Sequence, residues 1–250
     1  PKFKWNTTLT FAMNKEEVLK TSSTGPLEFG DYYLIPGESM HTYYDYKYMG
    51  IWGTDEAEEA AKYGQKPGDV HVLDFNNDGK LSVDDYQILG SATPAWTASL
   101  SNNFSYKNFD LNVLLIARWD YTLYYGITGW YRTDGLNPSP KVCDYWTPEN
   151  QNARYPRPNM DQSGPVDYQP SIDYYDGSYL KVKTISLGYT VPRKHLTKLG
   201  IEKLRVYFTA DNPFIYTKSD YIKDYDPEKG GNDDYAPLSR QYVFGINMTF

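Results

Sequence analysis

One stretch of the chain has the residue types and the spacing of a cation-binding loop. Asp74-Phe75-Asn76-Asn77-Asp78-Gly79-Lys80-Leu81-Ser82-Val83-Asp84-Asp85 puts oxygen donors at positions 1, 3, 5, 7, 9 and 12, with glycine at position 6 for the sharp turn. The donors are Asp74, Asn76, Asp78, the backbone carbonyl of Lys80, Ser82 and Asp85. Calcium takes six to eight hard oxygens, and the pattern comes close to supplying them. Position 12 carries Asp where such loops usually carry Glu. Its side chain is one carbon shorter and is expected to offer one oxygen rather than two. The plainer alternative is an Asx-rich surface turn without a metal. A bound Ca2+ here is expected to stiffen its loop, and chelation to loosen residues 53–94.

Other candidates carry less chemistry. Trp130, Tyr131, Tyr145, Trp146 and Tyr155 fall in one long connecting segment. Their rings can stack on sugar faces, and the competing expectation is loop packing or contact with a partner protein. His41, His71 and His195 are scattered, and none sits in a nucleophile or metal motif. The acidic pairs Glu58-Glu59, Asp84-Asp85 and Asp233-Asp234 read as solvated loop charges. No phosphate-cradling glycine pattern occurs, so no enzyme is expected. The single cysteine, Cys143, excludes an internal disulfide and a cysteine-based zinc site.

The elements that must hold these residues are strands. The 250 residues include 26 Tyr, 6 Trp and 10 Phe, and the net charge of −7 argues against nucleic acid as a partner. The longest apolar run is only Val113 to Ala117, which excludes a membrane helix but not a membrane barrel. Alternation of period two runs through 1–13, 95–105, 109–119, 203–214 and 241–250, with a weaker tyrosine-rich strand over 41–52. Over 178–191 the apolar parity changes from Leu180 and Val182 to Ile185 and Leu187, which predicts a β-bulge. A three-residue turn is expected at Tyr106-Lys107-Asn108.

Taken as a meander, these seven strands have connections of 27, 3 and 11 residues at one end and 42, 58 and 26 at the other. Sorting of loop length by end is the outer-membrane habit of short periplasmic turns and long extracellular loops. Strands of about ten residues, rising ~3.3 Å each and tilted ~45°, match an apolar band ~25 Å tall. Trp5, Trp96 and Trp119 near strand ends suit the membrane interface. The chain opens in a strand pattern at Pro1-Lys2-Phe3-Lys4-Trp5 without an initiator Met, so a longer parent with further strands upstream is expected.

Several stretches, in order and spacing, resemble SusC/RagA-type TonB-dependent outer-membrane transporters. They include Gly50-Ile51-Trp52, the Asp74–Gly79 loop with Gly90-Ser91-Ala92-Thr93-Pro94, and Asn103-Phe104-Ser105-Tyr106-Lys107-Asn108-Phe109-Asp110-Leu111. Further along come Tyr145-Trp146-Thr147-Pro148-Glu149-Asn150, Tyr155-Pro156-Arg157, Asp176-Gly177-Ser178-Tyr179-Leu180 and Leu187-Gly188-Tyr189-Thr190-Val191-Pro192. Leu204-Arg205-Val206-Tyr207, Asp211-Asn212-Pro213-Phe214, Asp226-Pro227-Glu228 and Phe250 complete the set.

The resemblance implies an all-β fold. Residues 1–250 would form the C-terminal part of a 22-stranded antiparallel transmembrane β-barrel, with extracellular loops at about 53–94, 120–177 and 215–240. It implies import of glycan or peptide nutrients with energy from TonB, through a plug domain and TonB box outside this chain. It also implies a SusD-like surface lipoprotein over the extracellular mouth and a location in the bacterial outer membrane. Asn6, Thr8, Asn112, Arg118, Arg205 and Asp211 would then line the lumen or meet the plug. The competing expectation is a soluble, calcium-stabilised β-sandwich of lectin or adhesin type. In that fold Trp5, Leu100 and Phe208 would pack in a dry core between two sheets.

Overall fold

The computed structural model describes residues 2–125, 144–158, 168, 171–197, 200–223, 225–228 and 239–250. In chain order its strands are β1 (Lys4–Met13), β2 (Leu27–Phe29), β3 (Tyr32–Leu34), β4 (Thr42–Tyr46) and β5 (Tyr48–Ile51). The short helix α1 (Ala57–Lys62) precedes β6 (Val70–Val72), β7 (Tyr86–Ser91), β8 (Trp96–Tyr106) and β9 (Phe109–Trp119). Then follow β10 (Thr122–Tyr124), β11 (Tyr174–Asp176), β12 (Tyr179–Thr190), β13 (Lys203–Thr217) and β14 (Gln241–Thr249).

The long alternating stretches pair, each with the next, into one six-stranded sheet in the order β1-β8-β9-β12-β13-β14. Every pairing is antiparallel. Register carries the apolar parity unbroken across the sheet, because a slip of one residue would turn a whole strand over. Trp5, Phe104, Leu111, Leu187, Phe208 and Phe244 form one row, and Leu9, Leu100, Leu115, Val182 and Phe214 another. The predicted bulge is present: register shifts between Val182 and Thr184, leaving Lys183 as the extra residue. That single insertion reconciles Leu180 and Val182 with Ile185 and Leu187 on one face.

Two expectations are corrected. The strand over 41–52 breaks at Lys47 into β4 and β5, which join small separate sheets and not the main one. The reason is that both of its faces are claimed by other rings. Tyr43 is buried against Tyr32, Tyr124 and Tyr174, leaving no apolar face for the main sheet. The turn after β8 is two residues long, since Tyr106 pairs directly with Phe109 and Lys107 takes φ 55°. With the spurious strand removed, one end of the sheet carries connections 14–95, 120–178 and 218–240, and the other only 107–108 and 191–202. The end-to-end bias is therefore larger than the sequence pattern suggested.

Burial is inverted relative to a soluble sandwich. Trp5 is 60% exposed, Leu9 68% and Phe244 82%, and Leu100 and Phe208 are only half-buried in a single layer. The fully buried apolar side chains lie mostly in the long connections, in clusters around Val70, Val72 and Ile172 and around Leu123, Tyr125, Tyr175 and Ile222. Rings flank the aliphatic middle of the apolar face. Trp96 stacks on Trp119 at 5.9 Å beside the long connections, and Phe109 meets Tyr189 at 4.7 Å beside the short ones. The ten residue steps from Phe109 to Trp119 rise ~33 Å along the strand, or ~23 Å at 45° tilt, the height of a hydrocarbon band between aromatic girdles.

Candidate functional site

The opposite face of the sheet is polar and internally bonded. Asn112 Nδ2 donates to Asn103 Oδ1 at 2.7 Å, Thr184 Oγ1 to Asp211 Oδ1 at 2.9 Å, and Ser186 and Thr209 share a hydrogen bond of 2.9 Å. Arg205 forks onto Asp110, with Nε to Oδ1 at 3.1 Å and Nη2 to Oδ2 at 2.5 Å. Its guanidinium lies over Gly188, where any side chain would collide with it. Asn6, Thr8, Asn112, Arg118, Arg205 and Asp211 share this face by register, as the alternation predicted.

Near the end with long connections, this face is covered by chain. Lys181 stands in register between Ile116 and Ile215 and is 0% exposed. Its Nζ donates to both oxygens of Asp226 at 2.9 Å and to Glu228 Oε2 at 3.0 Å. Lys183, the bulged residue, donates to the same Glu228 oxygen at 2.7 Å. Burial pushes the Glu228 carboxyl up, but the hydrogen bonds and charges of Lys183 and Lys181 outweigh it and hold Glu228 below its ordinary 4.5. Two lysines of the wall thus fasten the Asp226–Glu228 segment. Sequence reading noted Asp226-Pro227-Glu228 but not its partner, because a lysine in a strand normally signals solvent.

The cation-loop residues come together only in part. Asp74 Oδ2 accepts from the Gly79 N–H and the Tyr63 hydroxyl, both at 3.0 Å, and its Oδ1 is buried without a hydrogen-bond partner. Desolvation pushes Asp74 up, yet the hydrogen bonds from Gly79, Tyr63, Asn77 and Asp78 leave it below its ordinary 3.8. Asn76 Oδ1 accepts from the Asp78 N–H at 2.9 Å, and Asp78 Oδ1 from the Lys80 N–H at 2.8 Å. Ser82 Oγ accepts from the Asp84 N–H, capping a 3-10 turn. Asp85, fully buried, spends Oδ1 on the Phe75 and Asn76 N–H groups and Oδ2 on the Ser82 N–H. It staples the loop closed through backbone. Among the described residues no three carboxylate, imidazole or thiolate groups converge as a metal cage. The orphaned Asp74 oxygen is the one feature that fits a cation directly.

The aromatic candidates divide. Trp130 and Tyr131, like Cys143, lie outside the described residues. Tyr145 is exposed, and Tyr145 and Tyr155 form an isolated parallel bridge. Trp146 is 5% exposed and packs against Gly68 and the stem of Arg157, so its ring serves packing rather than stacking on a ligand. Gly68 has φ +90° and no room for a Cβ beside Trp146. Arg157 pairs with Asp69 at 2.8 Å and closes the same corner.

A wall with one exposed apolar face banded by rings, one bonded polar face, and long connections at one end defines a class: a segment of an outer-membrane β-barrel. Comparison with known proteins is more particular. The chain is 29% identical to TonB-dependent receptor P3 of Formosa agariphila, covering 99% of the chain and 27% of the receptor. It is 26% identical to TonB-dependent receptor SusC of Bacteroides thetaiotaomicron, covering 99% and 24%. Among solved structures, the RagAB peptide transporter superposes with a TM-score of 0.71 at 24% identity, over 99% of this chain and 27% of that one. The RagAB peptide importer in its open-open state gives 0.72 at 23% identity, with the same coverage. No family model matches. The chain spans about a quarter of the length of the relatives it matches. The chain is similar to TonB-dependent receptors of the SusC and RagA kind, and it shares the all-β fold of the RagAB structures.

Proposed function

We propose that this chain is the C-terminal part of the barrel of a TonB-dependent importer that carries oligosaccharide or peptide fragments across the outer membrane. The observation that supports this best is the register-aligned apolar face, which meets no second layer among the described residues and so suits bilayer lipid. On this reading the 14–95, 120–178 and 218–240 connections are extracellular, and a SusD-like lipoprotein caps the mouth they form. TonB engages an N-terminal plug outside this chain. In the bacterium that carries the protein, deleting its gene is expected to abolish uptake of one class of fragment, and deleting the TonB box alone to do the same. Undiminished uptake in both strains would end this reading.

The extracellular setting also favours a calcium ion at Asp74, Asn76, Asp78 and the Lys80 carbonyl, with Asp74 Oδ1 as the buried oxygen that lacks any other partner. In the whole protein in detergent, calcium at 100 times its Kd is expected to protect 53–94 from proteolysis about 100-fold by mass action. Asp74→Asn should lose that protection and Asp84→Asn should keep it. A cleavage rate indifferent to calcium and to chelator removes the metal.

A further inference from the structure

Arg154 is placed like a binding residue, and among the described residues no carboxylate forms an ion pair with its side chain. Its guanidinium lies 3.7 Å from the centroid of the Tyr221 ring and 5.2 Å from that of Tyr175. Nη2 donates to the Ile172 carbonyl at 3.1 Å and the guanidinium also hydrogen-bonds the Tyr175 side chain, while Nε is buried with no partner among the described residues. A buried N–H left unmade is costly, and a native protein keeps one where a ligand or a mechanism uses it. Asp144 accepts from the backbone N–H of Arg154, not from its side chain. Asp176 is spent on Lys218 at 2.5 Å and on the Ser178 N–H.

Arg154 opens onto a cavity of about 400 Å³, within the usual range for small-ligand sites. Tyr48, Tyr174 and Tyr221 supply rings to its lining, Ser219 a hydroxyl and Lys47 a second cation. Two cations beside one already-paired carboxylate leave the cavity positive in a chain whose net charge is −7. A guanidinium held against an aromatic ring presents its planar fork to a two-oxygen partner.

We propose that this cavity binds a carboxylate of the imported fragment, with Arg154 as the fork and Lys47 as a second charge. The chemistry is shared by a peptide C-terminus and by an acidic sugar. The proposal rests on the importer reading only for where the ligand comes from.

The test measures binding to the whole detergent-solubilised protein of two probe pairs: tetraalanine against its C-terminal amide, and tetragalacturonate against maltotetraose. One acidic probe is expected to bind at least tenfold tighter than its neutral partner, and the pair that shows the preference names the source. Arg154→Gln should erase the preference, and Arg154→Lys should retain part of it. Should Arg154→Gln fail to fold, the exposed Lys47→Gln serves, with an expected loss of about threefold or more. Equal binding within both pairs, or a preference that survives Arg154→Gln and Lys47→Gln, overturns the proposal. Fragments that are taken up by cells yet bind without regard to charge would overturn the pocket and leave the importer standing.

Discussion

Replacing Leu115 by arginine is expected to block stable assembly of the parent protein in its membrane, while Ser101→Arg is expected to be tolerated. The two sites are neighbours on the sheet and differ in the face they occupy. Leu115 pairs with Leu100 and Val182 at mid-height of the apolar face. Ser101 pairs with Thr8 and Leu114 on the other face. Arginine at the bilayer midplane of a barrel costs about 2–4 kcal/mol, and near the interface only about 0–1. Trp119→Arg, in the ring row beside the long connections, should therefore fall between the two in effect. The measurement is the fraction of outer-membrane protein that keeps its folded, heat-modifiable mobility in gels. A soluble sandwich with this face inward would also be damaged by Leu115→Arg, but it would penalise Trp119→Arg, on the same buried face, about as heavily, whereas lipid penalises it less. Equal damage from Leu115→Arg and Ser101→Arg would contradict a lipid-facing assignment.

How much of this was legible in the residues differs from element to element. The wall was readable because its two solvents differ: Phe3, Trp5, Leu9 and Phe11 alternate with Lys4, Thr8 and Thr10, and only one period fits. Even the bulge at Lys183 showed as a change of parity. Residues 42–51 misled because tyrosine satisfies either face, so alternation there carries no sign. Their partners, Tyr124 and Tyr174, lie far along the chain, and no local pattern announces a ring cluster built from distant turns. The cation loop was legible as backbone geometry: Asn77 and Gly79 take positive φ, and Asp74 accepts from the Gly79 N–H. What spacing could not reveal was the use of Asp85, whose carboxylate holds three backbone N–H groups. Arg154 went unnoticed for a related reason. An arginine outside any motif looks solvated, and only contacts to Tyr175 and Tyr221 show otherwise.

Removing the ammonium of Lys181 is the change expected to move the most chain. Lys181→Met keeps the apolar stem between Ile116 and Ile215 but leaves Asp226 without its buried counter-charge, and Glu228 with only the half-exposed Lys183. Breaking a buried pair from one side costs about 3–5 kcal/mol, far more than an exposed pair returns. Among the described residues, the 226–228 stretch is held otherwise by the Tyr121 hydroxyl donating to the Pro227 carbonyl at 3.4 Å, while Ile222 and Tyr225 stay packed in the Leu123 cluster. The covering chain should therefore lift from the wall rather than the barrel unfold. Protease nicking within 218–240 is expected to rise by two to three orders of magnitude in Lys181→Met, since 1.4 kcal/mol is a factor of ten in an opening equilibrium. Lys181→Met combined with Asp226→Asn should recover part of the loss, because the stranded charge is then gone. Acid supplies the same test without mutation. Glu228 titrates below its ordinary value when folded, so its contribution is complete above that ordinary value and disappears as pH falls through the lowered one. Wild-type protein should then resist nicking at neutral pH and become more sensitive as the pH falls through the lowered Glu228 value. Nicking in Lys181→Met no faster than in wild type at neutral pH would show that the Asp226–Glu228 segment is held by something other than this cluster.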